Sequence, residues 1–203
     1  MAKNSFSSYT TPAIVVVHGD SEKIIAEHIK SNLRLNFHIH PGKTSIQING
    51  LMKELNAHFP NVNSLRRHPQ LVLNIQKNTI HDFKIFTLMD TDDCSEETCQ
   101  KYMDRTLFDR YALKEYVVPI YTTPDLEHVF YASHLIPRIF KEDEKVDGYR
   151  RCFPKISPPF DELKSKEDEL IKKAEALRRN SKTNFDVFID YCLAEARRRR
   201  INH

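Results

Sequence analysis

Tryptophan is absent from this chain of 203 residues, and glycine occurs only four times. So few glycines disfavour folds that need many tight turns, such as a β-sandwich, and suit α/β units. No apolar run approaches the length needed to cross a bilayer, which excludes a membrane-spanning reading. The cysteines, Cys94, Cys99, Cys152 and Cys192, form no CxxC pair, and no secretory leader precedes them. Reduced thiols in a cytoplasmic protein are therefore expected, not a disulfide framework or a zinc knuckle. Neither sign of charge dominates. The formal net charge is +3 and the pI about 8.6, a balance that permits nucleic-acid binding without arguing for it. No internal repeat is visible, and a phosphate-binding P-loop is missing: Gly42-Lys43-Thr44 lacks the required earlier glycine, where Phe37 stands.

What the chain does have is organised around residues 83–93, Phe-Lys-Ile-Phe-Thr-Leu-Met-Asp-Thr-Asp-Asp. The apolar run reads as a buried strand that ends abruptly in carboxylates. Such groups are costly in a dry core and repel one another, so they belong at the open end of the strand, facing water or a cation. Asp90 and Asp92 fall on one side of the chain if it stays extended, and Asp-x-Asp at a strand end is a common way to hold Mg²⁺ or Mn²⁺. The plainer alternative is a solvated acidic loop opening the next helix.

Residues 1–12 read as a loose polar lead-in. Residues 13–17, Ala-Ile-Val-Val-Val, are apolar on both faces, as a central parallel strand must be. The turn His18-Gly19-Asp20-Ser21-Glu22 follows, with Gly19 expected to permit it and Asp20 or Ser21 to cap a helix over 21–34. Residues 36–40 predict a second strand, 44–59 a helix, and 60–82 a further helix or half-helix broken by Pro69. A helix over about 95–112 follows the acidic strand. The fourth strand, 116–121, carries Pro119, which suits a sheet edge. Thr122-Thr123-Pro124-Asp125 then caps a helix containing Glu127. This alternation predicts an α/β fold: a parallel sheet of about four strands flanked by helices, spanning 13–136. Residues 137–160, charged and then proline-rich, read as a connector, and 161–203 as a helical C-terminal extension. Its second helix, about 184–200, has an apolar stripe expected to pack on the body or on a partner. Arg197–Arg200 at its end suits a solvated helix terminus better than a phosphate site. His18, His40, Asp90 and Asp92 all lie just past predicted strands, where ligands bind in such sheets. His38 and His40 alternate to one face of their strand and read mainly as strand surface. Cys94 and Cys99, beside the acidic loop, read as ordinary helix cysteines before soft-metal ligands.

The strand ending at Val17-His18-Gly19-Asp20-Ser21-Glu22 and the later strand ending at Leu88-Met89-Asp90-Thr91-Asp92 together resemble a Toprim domain. The stretch 123–130, Thr-Pro-Asp-Leu-Glu-His-Val-Phe, is similar to the late acidic motif of its OLD-nuclease and RloB-like branch. The resemblance covers about residues 13–135. It implies metal-dependent phosphodiester hydrolysis, with Asp90, Asp92 and Glu127 holding Mg²⁺ or Mn²⁺, and with Lys23 and Lys43 steering phosphate. It departs at His18, where the family carries glutamate. Either His18 takes over the proton transfer, or Glu22 or Asp20 supplies the missing carboxylate, or the site is degenerate and binds nucleic acid or a partner protein without cutting. OLD-type members commonly work with an ATPase, which implies a separate ATPase partner, as in anti-phage defence systems, or a homo-oligomer built through the C-terminal helices. The haloacid dehalogenase phosphatases place their nucleophilic aspartate after the first strand, not the third, and fit poorly.

Overall fold

In a computed structural model, residues 13–41, 45–77 and 79–201 are described. The chain runs through β1 (Ala13–Val17), α1 (Asp20–Asn32), β2 (His38–Pro41), α2 (Ile48–His58), α3 (Val62–Arg66), β3 (Asn74–Gln76) and β4 (Thr79–His81). Then come β5 (Lys84–Asp90), α4 (Glu96–Met103), β6 (Val117–Thr122), α5 (Leu126–Ala132), α6 (Lys145–Cys152), α7 (Leu163–Arg178) and α8 (Phe185–Ile201). Strands β2, β1, β5 and β6 form a four-stranded parallel sheet in that order, so the expected α/β architecture is present. Alternation in β1 splits its side chains between two cores. Val15 and Val17 join α1, α5, α7 and α8 on one face, while Ile14 and Val16 join α2 and α4 on the other. Helices on both faces explain why β1 and β5 are apolar throughout.

The chain leaves β1 into α1 on one face and leaves the adjacent β5 into α4 on the other. Between the carboxyl ends of β1 and β5 the backbone therefore parts, and a crevice opens there.

Several local expectations change. Residues 60–82 hold a short helix and the antiparallel β3–β4 hairpin, in which Ile75 pairs with Ile80; three-residue strands leave little pattern to read. The helix expected over 95–112 stops at Met103 and gives way to 3₁₀ turns at Thr106–Phe108 and Lys114–Tyr116. The connector contains α6, and its Tyr149, with Phe153 beyond it, is buried in the same core as the sheet. The helical C-terminal extension packs on the body, one of the two expected outcomes for its apolar stripe. Phe185, Phe188, Ile189, Cys192 and Leu193 pack with Ile25, Ile29 and Phe37, so the apolar stripe of α8 is covered by this chain's own body. Truncating such a buried phenylalanine typically costs about 3–5 kcal/mol.

Pro119 does sit on an edge strand, as expected. The exposed side of β6 is covered by the turn before α8. The Tyr121 backbone N–H donates to Asn184 Oδ1 at 2.9 Å, Asn184 Nδ2 donates to the Pro119 carbonyl at 2.9 Å, and Thr183 Oγ1 donates to the Tyr121 carbonyl at 2.7 Å. Covering unpaired edge groups in this way removes a template for strand pairing with other chains. The terminal arginines are spent on ion pairs within the chain: Arg200 with Glu167 at 2.5 Å and Arg198 with Glu195 at 2.8 Å.

Candidate functional site

The crevice at the strand ends is a cavity of about 620 Å³. Its floor is set by register. Asp90 and Thr122 are paired across β5 and β6, and the Thr122 hydroxyl donates to Asp90 Oδ1. Asp90 follows Leu88 by two residues and so points to the face that carries α1 and α5. Those helices each bring one carboxylate to the cavity, Glu22 in the first turn of α1 and Glu127 in the first turn of α5. All three are buried, at 6%, 3% and 7% exposure for Asp90, Glu22 and Glu127. Asp92 also lines the cavity, but β5 ends at Asp90 and the chain turns there, with Thr91 N–H donating to the Thr122 and Pro124 carbonyls. The extended alternation expected for Asp90 and Asp92 therefore fails, and Asp92 reaches the cavity from an exposed turn.

Burial governs the electrostatics of Asp90 and Glu22. Desolvation pushes the Asp90 carboxyl up to about 9, with the nearby Glu22 and Glu127 charges adding to it and the Thr122 hydroxyl opposing. Desolvation likewise raises Glu22, although hydrogen bonds to its carboxylate oppose the rise. One of these comes from the Gly19 N–H, 2.9 Å from Glu22 Oε2. Glu22 thus caps α1, the task expected of Asp20 or Ser21; Asp20 is exposed at the cavity mouth. Gly19 itself sits at φ −150°, extended backbone open to any residue, so no turn there demands glycine.

Glu127 differs from its neighbours. Lys145 Nζ, at the start of α6, lies 3.0 Å from its Oε1, and Ser21 Oγ lies 3.4 Å from the same oxygen. Burial works against the Lys145 ammonium, yet its pairing with Glu127 prevails and raises it above its ordinary value. Lys145 was hidden in the sequence because its segment reads as a connector. Lys23 is half-buried and does not line the cavity, and Lys43 lies outside the described residues. His18 lines the cavity with its ring turned to the side: Nδ1 is 3.8 Å from Asp93 Oδ2. Desolvation raises Asp93, and the His18 charge lowers it. Beside it, Cys94 and Cys99 form a disulfide across the start of α4, with Cα atoms 6.2 Å apart, whereas Cys152 and Cys192 are free. Reduced thiols were expected at all four. The bend that opens α4 brings two cysteines five residues apart within bridging distance, which their spacing alone does not reveal.

Oxygen-only donors suit a hard divalent cation such as Mg²⁺ or Mn²⁺, which keeps several waters and needs only one or two carboxylates. The donor set fits in that sense: the buried carboxyls of Asp90 and Glu22 are raised by desolvation, with neighbouring carboxylate charge adding to the rise, and Lys145 pairs with Glu127. The fit is loose. Among the described residues the one set of three His, Cys, Asp or Glu donors within 4.8 Å of one another is His40, Glu54 and His58, outside this cavity. The cavity carboxylates stand wider apart and would share an ion through its waters.

No helix among the described residues is long and apolar enough to cross a membrane. Compared with known proteins, the chain matches no family model, no curated protein and no solved structure.

Proposed function

We propose that the chain is a divalent-metal-dependent phosphodiester hydrolase of the Toprim type, acting on nucleic acid. The observation that carries this reading is the convergence of Asp90, Glu22 and Glu127, all buried, at the switch point of a parallel sheet, with Asp92 at the rim. A cavity walled by carboxylates repels a polyanion, so phosphate enters it only with a cation between them. Asp90 and Asp92 would hold Mg²⁺ or Mn²⁺, with Glu127 as the further ligand. The bound ion would supply Lewis acidity, a water of lowered pKa and charge neutralisation at the leaving oxygen. Glu22 fixes the first turn of α1 and so the position of the cavity's β1 side. His18, backed by Asp93, sits where it can pass a proton between the cavity and solvent. Lys145, at the cavity, would steer phosphate in place of Lys23, which does not line it; Lys43, of which the same role is expected, lies outside the described residues. An ATPase partner, a cytoplasmic setting and a role in anti-phage defence belong to the same reading and rest on the motif resemblance. A homo-oligomer through the C-terminal helices would have to use their charged outer faces, since the stripe of α8 is covered.

A second reading, a Toprim-like module that binds nucleic acid or a partner without cutting, is favoured by two details. Lys145 already neutralises Glu127, and the His18 ring leans toward Asp93.

The test is hydrolysis of plasmid, single-stranded DNA and transfer RNA with Mg²⁺ or Mn²⁺, comparing the native chain with Asp90→Asn/Asp92→Asn. Cutting by the native chain that the double variant loses supports the hydrolase. Nucleic-acid binding without cutting under either metal, with a candidate ATPase present or absent, supports the second reading instead.

A further inference from the structure

On the opposite face of the sheet, at its β2 edge, lies a group of side chains that the acidic cavity does not use. Parallel register pairs His40 with Val16 and His38 with Ile14, which turns both histidines toward the face covered by α2. Leu51 and Leu55 of α2 are buried against that face. Glu54 and His58, one turn apart on the flank of the same helix, come out beside β2. Glu54 Oε1 lies 2.9 Å from His40 Nε2 and 3.3 Å from His58 Nε2, and the ligand atoms of all three residues lie within 4.8 Å of one another. The His40 and His58 rings stand 4.5 Å apart at centroids, with the buried Phe59 edge-on to His40 at 5.2 Å.

We infer that His40, Glu54 and His58 form a binding site for a zinc-class divalent ion, separate from the acidic cavity. Two imidazole nitrogens and one carboxylate oxygen are a donor set preferred by Zn²⁺ and its d-block neighbours, not by Mg²⁺ or Ca²⁺. Around a tetrahedral ion with bonds near 2.0–2.1 Å, neighbouring donors stand about 3.3 Å apart; Glu54 already stands 3.3 Å from His58 and, at 2.9 Å from His40, slightly closer than that. Both histidines already hold Nε2 within 3.3 Å of one carboxylate oxygen, so binding requires an unprotonated Nε2 on each ring and a tilt of the rings toward the ion. His58 is 46% exposed, which leaves an entry path and an open fourth position for water or an exchangeable ligand. The bound ion ties the edge strand β2 to α2. Pro41, the next residue after His40, lines the acidic cavity, so the ion also steadies one wall of it.

The test uses the full chain without a histidine tag, titrated with Co²⁺ and followed by visible absorption, with Zn²⁺ competition and melting temperature as second readouts. One equivalent of Co²⁺ should give the intense bands of a four- or five-coordinate ion, and Zn²⁺ should abolish them and raise the melting temperature. His58→Ala, at an exposed position that leaves the core intact, and Glu54→Gln should each weaken binding at least about 100-fold. Asp90→Asn should leave it unchanged, which separates this site from the acidic one. Weak octahedral bands only, binding unaffected by His58→Ala and Glu54→Gln, or binding lost in Asp90→Asn would each overturn the assignment.

Discussion

The two clusters of candidate ligands solve opposite problems. At the strand ends, Asp90, Glu22 and Glu127 are buried, yet among the described residues no three carboxylates there draw within 4.8 Å of one another. At the β2 edge, Glu54 and His58 are partly exposed, yet with His40 they are drawn close enough to chelate. Burial makes Asp90 costly to ionise, and the charges of Glu22 and Glu127 add to that cost, which is why it is raised to about 9. Proximity and exposure make the second cheap to assemble, with Glu54 hydrogen-bonded to His40 and 3.3 Å from His58 when no metal is bound. Each arrangement would therefore suit a different ion: a hydrated hard cation for the carboxylates, a borderline d-block cation for the imidazoles.

The sharpest way to break this contrast is Asp90→Asn alone. It keeps the shape of the buried side chain and removes its charge. We expect phosphodiester hydrolysis to fall by at least about 100-fold, while Glu97→Gln, an exposed carboxylate of α4, leaves the rate unchanged; initial rates with Mn²⁺ check both.

Stability should follow pH in the direction fixed by the raised carboxyl. Asp90 ionises near the ordinary aspartate value of 3.8 when unfolded and near 9 when folded. Its protonated form costs nothing below the lower value, and the native state loses stability progressively as pH rises between the two. Metal-free native protein should thus melt lower at pH 8.5 than at pH 6. Asp90→Asn should reduce that fall and raise stability at pH 8.5 by on the order of 2 kcal/mol, as thermal or denaturant unfolding will report.

A smaller effect is expected from Lys145→Met, which leaves Glu127 buried without its counter-charge. The cost should be about 1–3 kcal/mol in metal-free protein at pH 8, since Lys145 is itself partly solvated, and Mn²⁺ should restore part of it. Smallest is Thr122→Val, which removes the hydroxyl that stabilises the ionised Asp90. A loss of about 1 kcal/mol that appears as pH rises through about 9, where the folded Asp90 ionises, and shrinks below it is the outcome to measure.

Much of the first cluster was legible in the sequence. Apolar runs at 13–17 and 83–89 ending in polar residues placed His18, Asp90 and Asp92 at the mouth of a parallel sheet, and the capping stretch 122–125 placed Glu127 beside them. Lys145 was not legible, because a short charged helix between proline-rich stretches has no periodicity to read. Nor was the role of Glu22, since a carboxylate in a first turn caps a helix whether or not it is buried. The second cluster was half legible. The alternation of His38 and His40 was visible, but their partners on α2 depend on which face of β1 that helix covers. The β3–β4 hairpin and the Cys94–Cys99 bond are set by turns too short to leave a pattern.

The central claim, that the buried carboxylates gather a hard divalent ion, is tested most directly by Mn²⁺ titration followed by electron paramagnetic resonance at pH 8. The His58→Ala chain removes the second cluster from the measurement. That chain should bind Mn²⁺, and adding Asp90→Asn/Asp92→Asn should abolish the binding. Mn²⁺ that stays free at millimolar concentration, or that binds equally well without Asp90 and Asp92, would contradict the account.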